Sequence, residues 1–122
     1  MPTKKTYTKE QKITREAKRI NKVFNGLDKN KAATVQALIK TAAFLSVSLD
    51  ELQDEINENG YTEEYKNGAN QHGIKQSAAV ETHIAMTRNL TAIINKLVDL
   101  APVEQRKDGK LIAFQRGFAN AK

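Results

Sequence analysis

A stripe of apolar side chains between residues 35 and 56 constrains the fold of this chain more than any other feature. Its members recur at strictly alternating intervals of three and four residues: Val35, Leu38, Ala42, Leu45, Leu49, Leu52 and Ile56. That spacing keeps one face of an α-helix turned toward a partner helix along the whole stripe. We therefore predict a long helix from about Asp28 to Asn59 that packs lengthwise against a second helix.

The second helix-forming segment, Ser77 to Ala101, carries two apolar stripes side by side. One consists of His83, Met86, Leu90, Ile93, Leu97 and Leu100, and the other of Val80, Ile84, Thr87, Thr91, Ile94, Val98 and Ala101. A helix that packs only against its hairpin partner needs one stripe, so the second predicts a further neighbour. That neighbour is either the N-terminal helix, in a three-helix monomer core, or another copy of the chain.

We favour oligomerisation and predict an all-α fold, with a basic N-terminal helix on a long antiparallel helical hairpin. The side chains expected at the oligomer interface are Leu38, Leu45, Leu49, Leu52, Ile56, Met86, Leu90, Ile93 and Leu97.

Glycine and asparagine mark the turns. Asn59-Gly60 ends the first arm of the hairpin, and Asn67-Gly68 suits a tight turn within the loop of residues 60–76. Two tyrosines flank that turn and could support a small β-hairpin excursion. Ser77 is placed to cap the second arm, and Pro102 ends it.

The chain divides into three parts: a basic arm and helix (1–27), a hairpin core (28–102) and a C-terminal tail (103–122). The tail is polar and basic except for Leu111, Ile112, Phe114 and Phe118. It either packs back on the bundle, which we favour, or contacts a partner.

Composition excludes several classes of protein. The chain has no cysteine, which removes disulfide frameworks and thiolate chemistry. No apolar run approaches the roughly 20 residues that a membrane span needs, and the N-terminus lacks the apolar stretch of a signal peptide. We expect a soluble intracellular protein that has no contact with a membrane.

All of the formal net charge of +6 lies in residues 1–22, since basic and acidic side chains balance in the rest of the chain. Thr8 and Gln11 fit a capping box, so a helix of about residues 9–25 is predicted. Apolar residues share one arc of that helix: Ile13, Ala17, Ile20, Phe24 and the trailing Leu27. The cations cluster away from it.

The cationic face is either a solvated surface or a site for phosphates, and we favour phosphates because nothing nearby in the sequence neutralises it. The expected DNA-binding residues are Lys4, Lys5, Lys9, Lys12, Arg15, Lys18, Arg19 and Lys22. The contact would be made mainly to the sugar-phosphate backbone of double-stranded DNA, with sequence preference coming from DNA shape.

Residues 50–64 have the opposite character, with seven acidic side chains and no basic one. A second helix-start signal at Ser48 could bend or restart the first arm there, but the stripe passes through without a phase slip and favours a continuous helix. If the helix restarted at Ser48, the first 58 residues would hold three short helices, which suggests a helix-turn-helix. Its recognition helix would then carry five acidic residues that repel DNA. The acidic run is either a solvated face or a contact for a basic segment.

Catalytic and metal-binding patterns are weak. The two histidines, His72 and His83, lack the spacing of metal ligands, and no glycine-rich loop with a lysine is present to hold phosphates. We expect no enzyme, no metal and no cofactor.

The hairpin loop resembles that of the small terminase subunits of tailed phages and prophages. The resemblance lies in Asn57 to Gly60 and in Glu64 to Ser77, and it extends from Asn89 to Pro102, so that about residues 30–102 are covered. The loop residues that match are Tyr65, Asn67, Gly68, Asn70, Gln71, Gly73, Lys75 and Ser77. They resemble turn architecture or a subunit contact rather than residues that read bases.

The resemblance implies a non-enzymatic ring of about eight or more copies that recognises viral DNA in the host cytoplasm. Such a ring hands DNA to the large terminase subunit and modulates its ATPase and nuclease. Two rivals remain open: a generic DNA-binding regulatory dimer, and a coiled-coil adaptor whose basic face meets an acidic protein surface, for which residues 50–64 of a neighbouring copy are one candidate.

Overall fold

Helices dominate the structure, with one short β-hairpin between the two longest of them. The computed structural model of the protein describes residues 6–24, 29–66, 68, 72–101 and 109–120. In chain order its elements are α1 (Lys9–Val23), α2 (Lys29–Asn59), β1 (Thr62–Lys66), β2 (His72–Gln76), α3 (Ala78–Leu100) and α4 (Gly109–Asn120). The structure agrees with the predicted helical fold, to which it adds one small two-stranded sheet.

The predicted first arm is confirmed as one continuous helix, α2, without a break at Ser48. Val47 and Ser48 are both buried, which shows that packing of this face overrides the local start signal. Gly60 ends the helix in a left-handed conformation (φ +84°), and its N–H donates to the Ile56 carbonyl. A residue with a Cβ is disfavoured there, so the Asn59-Gly60 stop has a backbone cause.

Helix α1 lies antiparallel on α2. Near one end of the contact the amides of Asn21 and Gln36 exchange hydrogen bonds, and near the other end Lys9 pairs with Glu51. The predicted apolar arc forms the contact: Ile20 and Phe24 are buried in the core, and the smaller residues before them pack against it. Leu27, the last member of the arc, lies outside the described residues.

Helix α3 returns along α2, and the two share most of the core. Of the side chains predicted at an oligomer interface, Leu45, Leu90 and Leu97 lie in this core cluster, and Ile56 is also buried. These four are enclosed by the chain's own fold, because an apolar stripe has the same spacing whether its partner is the same chain or another copy. The others, Leu38, Leu49, Leu52, Met86 and Ile93, are half-buried.

The described part of the C-terminal tail forms α4, which packs back on the bundle against α1 and α3. Leu111 and Phe114 enter the same core as Leu97 and Ala101, and the rings of Phe24 and Phe114 meet edge to face at 5.7 Å. Part of the second stripe of α3 is therefore covered within the chain. Its other end stays open, since Ile84 is 46% exposed.

By length and composition alone, α2 is also long and apolar enough to cross a membrane. Among the helices in the described ranges it is the one with an 18-residue window of mean hydropathy above the usual threshold, at 1.4. The same helix supplies much of the bundle core, including Val35, Ile39 and Ala42, and core helices of this kind meet the same criterion.

The loop of residues 60–76 contains the predicted hairpin. Strands β1 and β2 are antiparallel, with Glu63 opposite Lys75 and Tyr65 opposite Gly73. Gly68, which lies between the two strands in the chain, has φ +90°, a left-handed conformation that favours glycine. At the base, the Ser77 N–H donates to the Tyr61 carbonyl, and the Ser77 hydroxyl accepts from Val80 N–H at 3.2 Å. The hairpin and the start of α3 are thus joined through Ser77.

Candidate nucleic-acid interface

The cationic helix α1 begins at a complete capping box. The Gln11 N–H donates to the Thr8 hydroxyl at 3.2 Å, while the Thr8 N–H donates to the Gln11 side-chain carbonyl at 3.0 Å. These two bonds satisfy amides that a helix start otherwise leaves unpaired. The prediction from Thr8 and Gln11 is confirmed, and the cap fixes where the cationic face begins.

Six of the eight predicted DNA-binding side chains lie on α1, and all six are exposed: Lys9, Lys12, Arg15, Lys18, Arg19 and Lys22. Lys4 and Lys5 lie outside the described residues. Five of the six line one wall of a shallow cleft of about 700 Å³ between α1 and α2. The opposite wall carries Asp50, Glu51 and Asp54. The fold therefore places the basic and acidic segments side by side.

This juxtaposition corrects the expectation that nothing neutralises the cationic face. Lys9 Nζ lies 2.9 Å from Glu51 Oε1, and Arg19 is paired with Glu16 one turn earlier on the same helix. The contact that the adaptor rival assigned to a neighbouring copy thus exists within the chain. Both side chains of the Lys9–Glu51 pair are about half exposed, so it contributes less than about 1 kcal/mol.

Three aromatic rings hold cations in place, a feature that sequence reasoning missed. The Arg15 guanidinium lies 4.3 Å from the centre of the Tyr7 ring, and Lys9 Nζ lies 4.9 Å from that of Phe44. Arg19 lies 5.5 Å from the Phe114 ring centre, so it also contacts the C-terminal helix. The eight-residue separation of Tyr7 and Arg15 gave no clear signal, because Tyr7 precedes the helix.

Three lysines on α1 are left without an ion pair among the described residues: Lys12, Lys18 and Lys22. Lys18 and Lys22 are one helical turn apart, and both are exposed. Lysine presents its charge on a flexible stem with three donors, which suits contact with phosphate oxygens. These cations remain available to an anionic partner.

On the acidic wall of the cleft, the surroundings of Asp50 raise the pKa of its carboxyl group. Burial raises the pKa of Asp50, and the nearby carboxylates of Glu16 and Asp54 raise it further, against an opposing effect of Lys12. Asp50 also lines a cavity of about 460 Å³ among the four helices, with His83 and Phe114 on other sides. A carboxylate in this position disfavours the approach of a phosphate into the cleft.

The loop residues that carry the family resemblance have structural roles where the structure describes them. Tyr65 covers Gly73 across the hairpin, Lys75 pairs with Glu63 at 3.5 Å, and Ser77 caps α3. Gly68 supplies the turn. Asn67, Asn70 and Gln71 lie outside the described residues.

Among the described residues, no group of three His, Asp or Glu side chains lies close enough together to hold a metal ion. Comparison of the chain with protein-family models, curated proteins and solved structures finds no match.

Proposed function

We propose that this protein binds double-stranded DNA through exposed lysines of α1 and serves as the small subunit of a viral terminase. The observation that carries the proposal is the row of exposed cations on α1 that have no ion pair among the described residues, Lys12, Lys18 and Lys22. The resemblance of residues 30–102 supports the terminase assignment. The large terminase subunit and other copies of the chain would then be its partners.

The charges on α2 restrict how DNA can approach. Phosphates near Asp50, Glu51 and Asp54 would be repelled, so the duplex is expected to contact the exposed cations on the α1 wall of the cleft and to stay clear of its α2 wall. Lys9 is then a poor contact because it pairs with Glu51. Lys18 and Lys22 are the better ones, since no carboxylate in the described structure pairs with them.

Binding by one copy would be weak and largely independent of sequence. Helix α1 has 15 residues and extends about 22 Å, which reaches only a few phosphates along a duplex. A ring of about eight or more copies would present the same helix many times and raise the affinity through avidity. Such an assembly is the form in which the protein would start genome packaging and regulate the large subunit.

The direct test measures duplex DNA affinity by fluorescence anisotropy between about 50 and 200 mM salt. The variant K18E/K22E is compared with R88E/K96E, which makes the same charge change at exposed positions on α3. We expect K18E/K22E to weaken binding by at least tenfold and to lower the slope of log affinity against log salt by about 2. R88E/K96E should bind almost as the parent does.

Arg19 is a less suitable target, because its replacement would also remove its contacts with Glu16 and Phe114. Equal weakening by the two double variants would mean that only net charge matters and that α1 is not the binding surface. Absence of salt-dependent binding in the parent would favour the adaptor rival. A small terminase subunit should in addition change the ATPase rate of the large subunit, whereas a generic regulatory dimer should not.

A further inference from the structure

The β-hairpin projects from the helical bundle with little support. Strand β1 packs chiefly against β2, and neither strand contributes a side chain to the core cluster. Ile74 and Tyr61 are each 71% exposed. Because an isolated two-stranded hairpin is only marginally stable in water, exposed apolar residues on such a hairpin indicate a missing partner.

Both edges of the hairpin are open. In the described residues β1 and β2 pair only with each other, so the outer edge of each strand carries unpaired N–H and C=O groups. An added strand that runs in the direction of β1 would continue the antiparallel pattern at the edge of β2. A second copy of the chain in the same orientation offers such a strand.

The charges on the two strands are complementary. Strand β1 carries Glu63, Glu64 and Lys66 and is acidic on balance, whereas β2 carries Lys75 and no carboxylate, and Glu63 and Lys75 already pair across the hairpin at 3.5 Å. If β2 of one copy lies beside β1 of the next, Lys75 acquires a second Glu63 as its neighbour. The interaction that joins the strands within a copy is then repeated between copies.

We propose that the hairpin is a contact between copies of this chain, formed by the outer edge of β2 in one copy and the outer edge of β1 in the next. The contact is head to tail: each copy uses its β2 edge to bind one neighbour and its β1 edge to bind another. The assembly therefore grows until the last copy meets the first and closes a ring. Strand alternation puts Ile74 on the opposite face from Glu63, Tyr65 and Lys75. Ile74 side chains from successive copies therefore lie on one face, each between the Glu64 of its own copy and the Glu64 of the next, whose aliphatic stems would cover part of the isoleucine.

This inference deepens the assembly that the proposed function needs and rests on it. It also accounts for the position of the resemblance, since Gly73, Lys75 and the tyrosine that covers Gly73 shape the two strands. The proposed contact lies outside the core, so it does not compete with the packing of Leu45, Leu90 and Leu97 within the chain.

The experiment measures the native mass of the full chain, whose single copy weighs 13.6 kDa, by analytical ultracentrifugation without DNA. E63K puts lysines at both positions 63 and 75, and K75E puts acids at both, so neither variant keeps an opposite-charge pair between these positions. Each alone is expected to sediment as a single copy, while the parent forms a closed multimer. Mixed in equal amounts, the two variants should recover the multimer.

Recovery in the mixture is informative because each chain still carries its own like-charge pair across the hairpin. The regained attraction can only come from an edge of one chain beside an edge of the other. A third variant, I74S, leaves the charges unchanged and should shift the multimer toward single copies by at least tenfold in dissociation constant. Unchanged helical circular dichroism in all three would show that the bundle remains folded.

The proposal is overturned if the parent is a single copy, if E63K and K75E assemble as the parent does, or if their mixture stays dissociated. Measuring the DNA affinity of the hairpin variants distinguishes a failure of the proposed contact from a failure of the proposed function. Dissociated E63K should still bind duplex weakly through α1, with K18E/K22E lowering that affinity further. Normal DNA binding with unaltered assembly in the hairpin variants would refute the contact and leave the proposed function standing.

Discussion

The helical bundle and the β-hairpin use their apolar residues in opposite ways. Leu97 on α3 is completely buried among residues of the same chain, whereas Ile74 on β2 is 71% exposed. The bundle packs most of its large apolar side chains internally, with Ile84 an exception at 46% exposure, while the hairpin contributes none of its apolar side chains to the core. The difference indicates that the fold is held by the helices and that the hairpin is available for another task.

The largest expected effect is the loss of a core side chain. Leu97→Ala removes a fully buried leucine, which should lower the free energy of unfolding by about 2–5 kcal/mol, depending on how far the cavity collapses. Ile84→Ala on the same helix is the matched control, because Ile84 is 46% exposed and should cost much less. Urea denaturation followed by circular dichroism measures both. Similar costs for the two would mean that α3 is not packed as described.

Ser77 joins the two regions, so its replacement shows whether they are coupled. Ser77→Ala removes the hydroxyl that accepts from Val80 N–H and should cost about 1 kcal/mol. Ser77→Asp keeps an acceptor at the start of α3 and should retain most of the stability. Amide exchange in β1 and β2 reports on the hairpin separately. Faster exchange in the strands of the alanine variant, with slow exchange retained in α2, would show that the hairpin loosens independently.

Much of the bundle could be predicted from sequence because its signals are local. The alternating stripe predicted α2, the capping residues Thr8 and Ser77 predicted two helix starts, and Asn67-Gly68 indicated a hairpin. The spacing of a stripe does not say which chain supplies its partner, which is why Leu45, Leu90 and Leu97 were assigned to an oligomer. Leu111 and Phe114 make too short a pattern to distinguish a docked helix from a tail.

The electrostatics of the candidate interface could be predicted only in part. Sequence placed the cations on one face of α1, but the antiparallel docking of α1 on α2 brings Lys9 to Glu51, which lies 42 residues later. A contact across that separation depends on tertiary packing and leaves no local pattern. The same applies to Arg19 and Phe114, which meet only because α4 folds back on the bundle.

A smaller effect on stability is expected from the acidic wall of the cleft, where Asp50 lies. Because the folded-state pKa of Asp50 lies above its ordinary value, the ionised side chain destabilises the fold, and stability is regained as the pH falls through that raised pKa. Asp50→Asn should therefore stabilise the protein near neutral pH by less than about 1 kcal/mol, since solvent screens the group. The gain should shrink as the pH approaches about 4.

Thermal denaturation at both pH values measures the Asp50→Asn effect. Glu58→Gln, near the exposed end of α2, makes the same change in net charge and serves as the control. A gain that is equally large for Glu58→Gln would assign it to net charge rather than to the surroundings of Asp50.

The smallest expected difference between the bundle and the hairpin is the effect of replacing one glycine in each region by alanine. Gly117 in α4 has no atom within 4 Å of where a Cβ would lie, so Gly117→Ala should stabilise the helix by about 0.5–1 kcal/mol. In the hairpin, a Cβ on Gly73 would lie 2.5 Å from the Tyr65 ring. Gly73→Ala therefore displaces that ring. Because Tyr65 is 43% exposed and can rotate away, the cost should stay below about 1 kcal/mol.

The sign of the effect should thus differ between the two alanine variants, with Gly117→Ala raising the midpoint of urea denaturation and Gly73→Ala lowering it slightly. Amide exchange should quicken in β1 and β2 of Gly73→Ala alone. Combining Gly73→Ala with Tyr65→Ala removes the collision between the new Cβ and the ring. Amide exchange in the strands of the double variant should therefore be slower than the sum of the two single effects predicts. Strict additivity would mean that the ring does not cover Gly73 in solution, and the face of the hairpin opposite Ile74 would then be shaped without the Tyr65–Gly73 contact.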